Sequence, residues 1–184
     1  MMSFNCLPPT IVFQEVPGEI SLCFSITGCK IGCRGCHSTE LWNENNGHPL
    51  TRERFHQYLA QYAGLISCVL FFGGEWQASQ LIEKLKIARQ LGLKTCLYSG
   101  QTHIDIGISQ HLTYLKTGKW APEKGGLDNP ATNQVFFDLS TGRKLNHLFV
   151  KSPDIAKSAL TPLPERSRPT TSLTKTKGNL YAAA

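Results

Sequence analysis

The sequence predicts an α/β fold: a partial (β/α) barrel of parallel strands that ends near Val150, followed over residues 151–184 by a disordered tail. Three observations predict it. Short apolar runs of strand length alternate with segments of helical periodicity. Each of the main strand-like runs ends in a turn that contains glycine. Beyond Val150 the periodicity stops, and Ser, Thr, Pro, Lys and Arg dominate.

Ile20 to Ile26 (ISLCFSI) is rich in β-forming residues and runs directly into a cysteine-rich loop. Thr51 has the character of a helix N-cap, with Phe55, Leu59 and Tyr62 at helical spacing behind it. Cys68 to Phe72 (CVLFF) is a continuous apolar strand that stops at Gly73-Gly74-Glu75. A second helix starts near Ser79, with Leu81, Ile82, Leu85, Ala88 and Leu91 on one face and Gly92 as its stop. Leu93 to Tyr98 is a third strand, ending in Ser99-Gly100; His111 to Leu115 is a fourth, before Lys116-Thr117-Gly118. Gln134 to Leu139 is a last strand, turning through Ser140-Thr141-Gly142 into Lys144 to Val150. Strand, loop and helix in this order imply parallel strands joined by crossovers. At 184 residues the chain is short of the about 250 that a full eight-unit barrel takes.

The loop after the first strand carries the most specific signal. Cys29, Cys33 and Cys36 stand in the spacing C-x3-C-x2-C, with Gly28, Gly32 and Gly35 beside them to let the backbone wrap tightly. A structural zinc site wants four ligands, commonly as two separated C-x2-C knuckles. Three thiolates on one loop suit an iron–sulfur cluster whose remaining iron is open to a non-protein ligand; a tight loop of buried or zinc-bound cysteines is the plainer alternative. In a parallel α/β sheet the loops at the carboxyl ends of the strands gather on one face. The cysteine loop, Gly73-Gly74-Glu75 and Ser99-Gly100 would therefore meet at one mouth.

Composition narrows the setting. Hydrophobic content of 41% and charged content of 17% are those of an ordinary soluble domain. No apolar run reaches the about eighteen residues of a membrane span, and the start of the chain lacks a secretion signal. Seven cysteines, grouped as ligands rather than as a disulfide framework, favour a reducing cytoplasm. Cys23, Cys68 and Cys96 lie in apolar runs and read as buried small hydrophobes. Of the net charge of +6, residues 151–184 carry +4, because Lys151, Lys157, Arg166, Arg168, Lys175 and Lys177 outnumber Asp154 and Glu165. The excess sits in the tail rather than on a nucleic-acid-binding face.

The residues quoted so far, with QEVPGEISL (Gln14 to Leu22), FFGGEW (Phe71 to Trp76), YSG (Tyr98 to Gly100) and YLKTGKW…GGLDNPATNQ (Tyr114 to Gln134), resemble those of the radical S-adenosylmethionine enzymes. Within that superfamily they resemble the activating proteins of anaerobic (class III) ribonucleoside-triphosphate reductase. The resemblance covers roughly residues 11 to 150, so residues 1–150 would form the radical S-adenosylmethionine domain. Gly35 stands where the superfamily usually has an aromatic residue, and His37 where tyrosine is common in this branch.

The resemblance implies the following chemistry. Cys29, Cys33 and Cys36 would hold a 4Fe–4S cluster whose open iron is chelated by the amino and carboxylate groups of S-adenosylmethionine. Gly73, Gly74 and Glu75 would accept hydrogen bonds from the amino group, and Gly35, Cys36 and His37 would lie along the adenine. Reductive cleavage would give a 5′-deoxyadenosyl radical that takes hydrogen from a glycine α-carbon of the reductase, leaving a glycyl radical. A low-potential electron donor such as flavodoxin would supply the electron. No general base is needed, in keeping with the lack of any Ser/His/Asp set.

Other conspicuous residues carry plainer expectations. Trp42 would pack beneath the cysteine loop, Trp76 and Trp120 fit either core or a partner face, and Lys116, Lys119 and the Gly125–Asn133 loop would rim a docking site. Two other functions share part of the pattern: a small radical enzyme with a deazapurine-type substrate, and a non-enzymatic metal or electron-carrier module.

Overall fold

The computed structural model describes residues 4–150; the expected tail over residues 151–184 lies outside the described residues. The strands are β1 (Asn5–Cys6), β2 (Thr10–Val12), β3 (Ser21–Ser25), β4 (His48–Pro49), β5 (Cys68–Phe72), β6 (Lys94–Tyr98), β7 (Tyr114–Thr117), β8 (Val135–Asp138) and β9 (Arg143–Lys144). The helices are α1 (Arg52–Gln61), α2 (Ala78–Gln90) and the single turn α3 (Ile106–Ser109). β1 and β4 form a two-stranded sheet, and the other strands form one sheet in the order β2-β3-β5-β6-β7-β8-β9.

The architecture is α/β, but the sheet is mixed, which corrects the expectation of parallel strands throughout. β3, β5, β6 and β7 run parallel, whereas β2, β8 and β9 pair antiparallel to their neighbours. The connections explain the difference. α1, α2 and α3 carry the chain back between the parallel strands, while no helix intervenes between β7 and β8 or between β8 and β9, so the chain returns in the opposite sense. Among the described residues no pairing joins β2 to β9, and the sheet stays open. The expected fourth strand lies at Tyr114–Thr117 rather than His111–Leu115. Lys144 to Val150 contributes only the end of β9 and a 3-10 turn.

Helix boundaries follow their local chemistry. Thr51 caps α1 by accepting a hydrogen bond from the Arg54 N–H at 3.2 Å. α2 begins one residue before Ser79; Leu81, Leu85 and Ala88 are buried against the sheet, while Leu91, just past the helix, is exposed. Gly92 follows in the left-handed region that ends such helices (φ 76°).

Both faces of the central strands are covered, which accounts for their unbroken apolar sequences. Leu22, Phe24, Val69, Phe71 and Leu97 point to the helices, meeting Phe55, Leu59, Leu81 and Leu85. Cys23, Cys68, Leu70, Cys96, Tyr114 and Phe136 point the other way, under Val16 and Leu127. The three cysteines on this second face are free and buried, as the sequence indicated. Burial pushes the Cys23 and Cys68 thiols up to about 12 and Cys96 well above its ordinary value, so all three remain uncharged packing groups.

Phe24 centres the helical face, with ring centroids 5.2 Å from Phe55, 5.5 Å from Phe71 and 5.9 Å from Tyr58. It is fully buried and sits two residues before the segment that enters the cysteine loop. Phe24→Ala is expected to destabilise the fold by about 3–5 kcal/mol, through lost burial and a cavity that three rings cannot fill. Urea unfolding followed by circular dichroism measures it, and a cost below about 1 kcal/mol would contradict this account of the core.

Candidate functional site

The cysteine loop leaves the sheet at the end of β3 and is closed at its base by main-chain bonds. The Gly28 and Cys29 N–H groups both donate to the Leu41 carbonyl, at 2.7 and 3.0 Å. Thr27, fully buried, donates its N–H to the Asn5 carbonyl at 3.0 Å. Its hydroxyl lies 3.2–3.3 Å from the carbonyls of Asn5, Glu44 and Asn46. Residues 29–40 thus form an excursion pinned at both ends. Leu41, not Trp42, packs at this base: Leu41 is buried and lines the cavity, whereas Trp42 is 41% exposed.

Within the loop all three cysteines are partly exposed free thiols. The Cys36 N–H donates to the Cys33 carbonyl at 3.3 Å, and the Ser38 N–H reaches Cys36 Sγ at 3.4 Å. Burial raises the Cys29 thiol, a backbone hydrogen bond from Ile31 opposes this, and Glu75, Cys33 and Cys36 raise it further. The cysteines and Glu75 therefore share one electrostatic neighbourhood. Among the described residues no three Cys, His, Asp or Glu side chains are gathered closely enough for a single metal ion. A 4Fe–4S cluster asks for something else, since each thiolate binds a different iron, and a loop of three partly exposed thiols fits that demand.

A cavity of about 160 Å³ opens at the carboxyl ends of the parallel strands, lined by Cys29 and Cys33 from the loop, Gly73, Glu75 and Trp76 after β5, Ser99 and Gly100 after β6, and Lys116 and Trp120 from β7 and beyond. It shares Ile31 and Gly100 with an outer cleft of about 510 Å³ that runs past Gln101, His103, Lys119 and Asn133. A separate cleft of about 450 Å³, which includes Arg89, Lys94 and Thr113, lies at the amino ends of β6 and β7. That end of a parallel sheet does not ordinarily carry the chemistry.

Gly73 and Gly74 both take positive φ, 76° and 105°. A Cβ on Gly73 would lie 2.4 Å from the Trp76 ring, so glycine is what lets that indole fold back over the strand end. Gly74 is buried against Phe4 and Ile26, away from the cavity wall. Glu75 is 9% exposed. Its Oε1 accepts a hydrogen bond from the Ser99 hydroxyl at 2.5 Å, and the same hydroxyl oxygen accepts from the Gln101 N–H at 3.0 Å. With that lone pair occupied, the Ser99 proton is committed to Glu75. Burial raises the Glu75 carboxyl, opposed by the Ser99 bond and by Lys116.

Three buried polar atoms of cavity-lining residues have no partner: Glu75 Oε2, Trp76 Nε1 and Trp120 Nε1. Such atoms are rare in folded proteins, and each carries a desolvation cost until something pairs with it. One unpaired acceptor and two unpaired donors beside a three-thiol loop fit a cluster together with a ligand that bears both an amino group and acceptor atoms.

Several sequence-derived site residues come together here and others do not. Cys29, Cys33, Gly73 and Glu75 line the cavity. Gly35 and His37 stand on the exposed outer part of the loop, and Cys36 is half-buried beside them. The Ser99-Gly100 turn lies at this mouth as its place after a strand implied, whereas Lys116 and Trp120 were not marked as cavity residues by the sequence; their signal was a place at or just after the end of β7. Lys116 in particular is buried rather than on a rim. It lies inward on β7, and its Nζ donates to the Gly118 carbonyl at 2.8 Å.

Burial depresses Lys116 from 10.5 to about 8, against the raising influence of Cys33 and Glu75. A lowered folded pKa means that the native state resists taking up this proton. Wild-type stability should therefore fall, relative to Lys116→Met, as pH drops from about 10.5 to about 8, and the difference should level off below that. By the size of the shift the change is about 3 kcal/mol. Urea midpoints of the two metal-free proteins across that window test it, and a difference independent of pH would show that Lys116 is solvated.

Residues 17–117, which contain the cysteine loop and the strands that carry the cavity, match the 4Fe-4S single cluster domain family. The chain is also similar to the pyruvate formate-lyase-activating enzyme of Clostridium pasteurianum, with 32% identity over 90 residues, covering 44% of this chain and 36% of that enzyme. The chain thus spans about a third of the length of this curated relative. No solved structure matches it. With more than half of its length on the family pattern and three thiols gathered on one loop at the mouth of the sheet, the chain belongs to the 4Fe-4S single cluster domain family.

Proposed function

We propose that this protein is a radical S-adenosylmethionine activating enzyme that installs a glycyl radical on an anaerobic ribonucleoside-triphosphate reductase, working in a reducing cytoplasm with a low-potential donor such as flavodoxin. The observation that carries the reading is the shared cavity. Two cysteines of the three-thiol loop and a buried carboxylate with one unpaired oxygen face the same space at the carboxyl ends of the parallel strands. Membership of a 4Fe–4S family and likeness to a relative named as an activating enzyme support it. The choice of reductase is supported by the motifs quoted above. The open sheet is then read as an incomplete (β/α) barrel.

In this reading Cys29, Cys33 and Cys36 hold the cluster, and Gly73 and Glu75 receive the amino group of S-adenosylmethionine, with Gly74 between them turning the chain from the core side. Gly35, Cys36 and His37 border the adenine. When bound, cluster and cofactor together supply the one-electron cleavage that yields the 5′-deoxyadenosyl radical and, from it, the glycyl radical. The chain's own work is to place and to shield. Ser99 holds the Glu75 carboxylate with its second oxygen turned to the N–H of the cofactor's amino group, a hydrogen bond to a charged acceptor in a dry setting. Lys116 supplies the compensating positive charge in the same cavity. Ile26, Leu41 and Phe72 wall the space with apolar surface and exclude water.

Anaerobic reconstitution with iron and sulfide, then dithionite and S-adenosylmethionine, should yield 5′-deoxyadenosine in wild type and none in Cys33→Ala. Addition of the reductase should give a glycyl electron-resonance doublet. Cleavage without a doublet would point instead to a small-molecule acceptor, and absence of cleavage to an electron-carrier module. Glu75→Gln, which keeps the shape and removes the charge, should weaken S-adenosylmethionine binding about 10- to 100-fold. Unaltered affinity in that variant would remove Glu75 from the site.

A further inference from the structure

We propose that Trp120 is a ligand-binding residue of this site, its indole N–H donating a hydrogen bond to the base of the bound nucleoside; the inference rests on the S-adenosylmethionine reading above. Trp120 lies in the irregular segment after β7, which folds over the cysteine loop. Its ring packs on His37 with centroids 4.5 Å apart and planes inclined by 50°. A Cβ placed on Gly35 would stand 3.8 Å from Trp120 Nε1 and 3.3 Å from Pro122. The same tryptophan lines the cavity that holds Glu75 and Cys33. It therefore joins the outer turn of the loop, where Gly35 and His37 are exposed, to the inner space where the carboxylate waits.

The chemistry narrows what it can bind. An indole N–H is a donor only, and here it is buried without a partner, so the missing group is an acceptor. The amino group of the cofactor, its lone pair given to iron, offers no acceptor, and its N–H is matched by the unpaired oxygen of Glu75. The carboxylate is an acceptor, but its charge is matched by Lys116 in the same cavity. Of the acceptors that remain, the ribose oxygens and the purine nitrogens, the flat purine is the one suited to a donor whose own ring packs on that of His37. Gly35, with φ of 65°, lets the loop pass close against Pro122 and brings its outer turn within van der Waals reach of Trp120 Nε1.

The test uses cluster-loaded, oxidised protein without reductant, so that nothing is turned over. Equilibrium binding is measured for S-adenosylmethionine and for 5′-methylthioadenosine, which keeps the nucleoside and lacks the amino-acid half. Trp120→Phe retains an aromatic ring against His37 and removes the N–H. It should weaken both ligands by the same factor, about tenfold, whereas Glu75→Gln should weaken S-adenosylmethionine alone. If Trp120→Phe leaves 5′-methylthioadenosine binding unchanged, or weakens S-adenosylmethionine only, the assignment to the base is overturned. If wild type binds neither ligand, the S-adenosylmethionine reading falls with it, a result distinct from the other two. A readout that leaves Trp120 in place covers the case of a misfolded variant. The chain has three tryptophans, so Trp42→Phe combined with Trp76→Phe isolates this indole for ultraviolet resonance Raman. Addition of 5′-methylthioadenosine should move its hydrogen-bond-sensitive band, and an unmoved band overturns the proposal.

Discussion

One row of residues across the sheet fixes everything that follows. Parallel pairing sets Ser25 beside Phe72, Phe72 beside Tyr98 and Tyr98 beside Lys116. Because the strands are in register and point the same way, the residues that follow this row must emerge together. Those residues are the cysteine loop, Gly73-Gly74-Glu75, Ser99-Gly100 and the segment from Thr117 to Trp120. A slip of one position in any strand would turn its inward residues outward and scatter the set. The register is held in turn by burial on both faces, since Phe24 and Phe71 on one side and Leu70 and Cys96 on the other tolerate no exchange of faces.

The cavity at the end of that row concentrates unpaired polar atoms in one small space. Elsewhere among the described residues the buried polar atoms without a partner are scattered singly, at Asn5 Oδ1, Ser21 Oγ and Asn133 Oδ1, and buried thiols stay neutral. At the mouth a carboxylate, a lysine and two indole N–H groups lie in a small, largely apolar space, and three of their atoms find no protein partner. The neighbouring structure sustains this arrangement. Ser99 fixes one oxygen of Glu75, the Gly118 carbonyl fixes Lys116, and the bonds to Leu41 anchor the loop. A site that is rigid around unpaired groups is prepared for a ligand at the expense of the empty fold's stability.

Much of this was legible beforehand, for identifiable reasons. Continuous apolar runs such as CVLFF and helical spacing such as Leu81, Leu85 and Ala88 reflect burial directly, so the central strands and helices could be placed to within a few residues. The two-residue strands β1, β4 and β9 and the one-turn α3 could not, because elements so short carry no periodicity of their own and exist through tertiary pairing. The antiparallel return at β8 was missed for a related reason: a strand's own residues record that it is buried, not which way it runs. Lys116 and Trp42 were misplaced because residue type was taken as a guide to exposure: β7 is buried along its whole length, and Trp42 follows a 3-10 turn whose buried residue is Leu41.

The sequence by itself determined the chemistry available to this protein, since three thiols at C-x3-C-x2-C and an acidic residue after paired glycines are covalent facts that no fold can alter. Only the tertiary structure decided which of those groups share a space. It drew Ser99, Lys116 and Trp120 to the cavity and left Gly74 in the core and Gly35 and His37 on the loop's outer side. Convergence of that kind depends on strand direction and register across residues far apart in the chain, and those are set by the packing of both faces at once rather than by any local stretch.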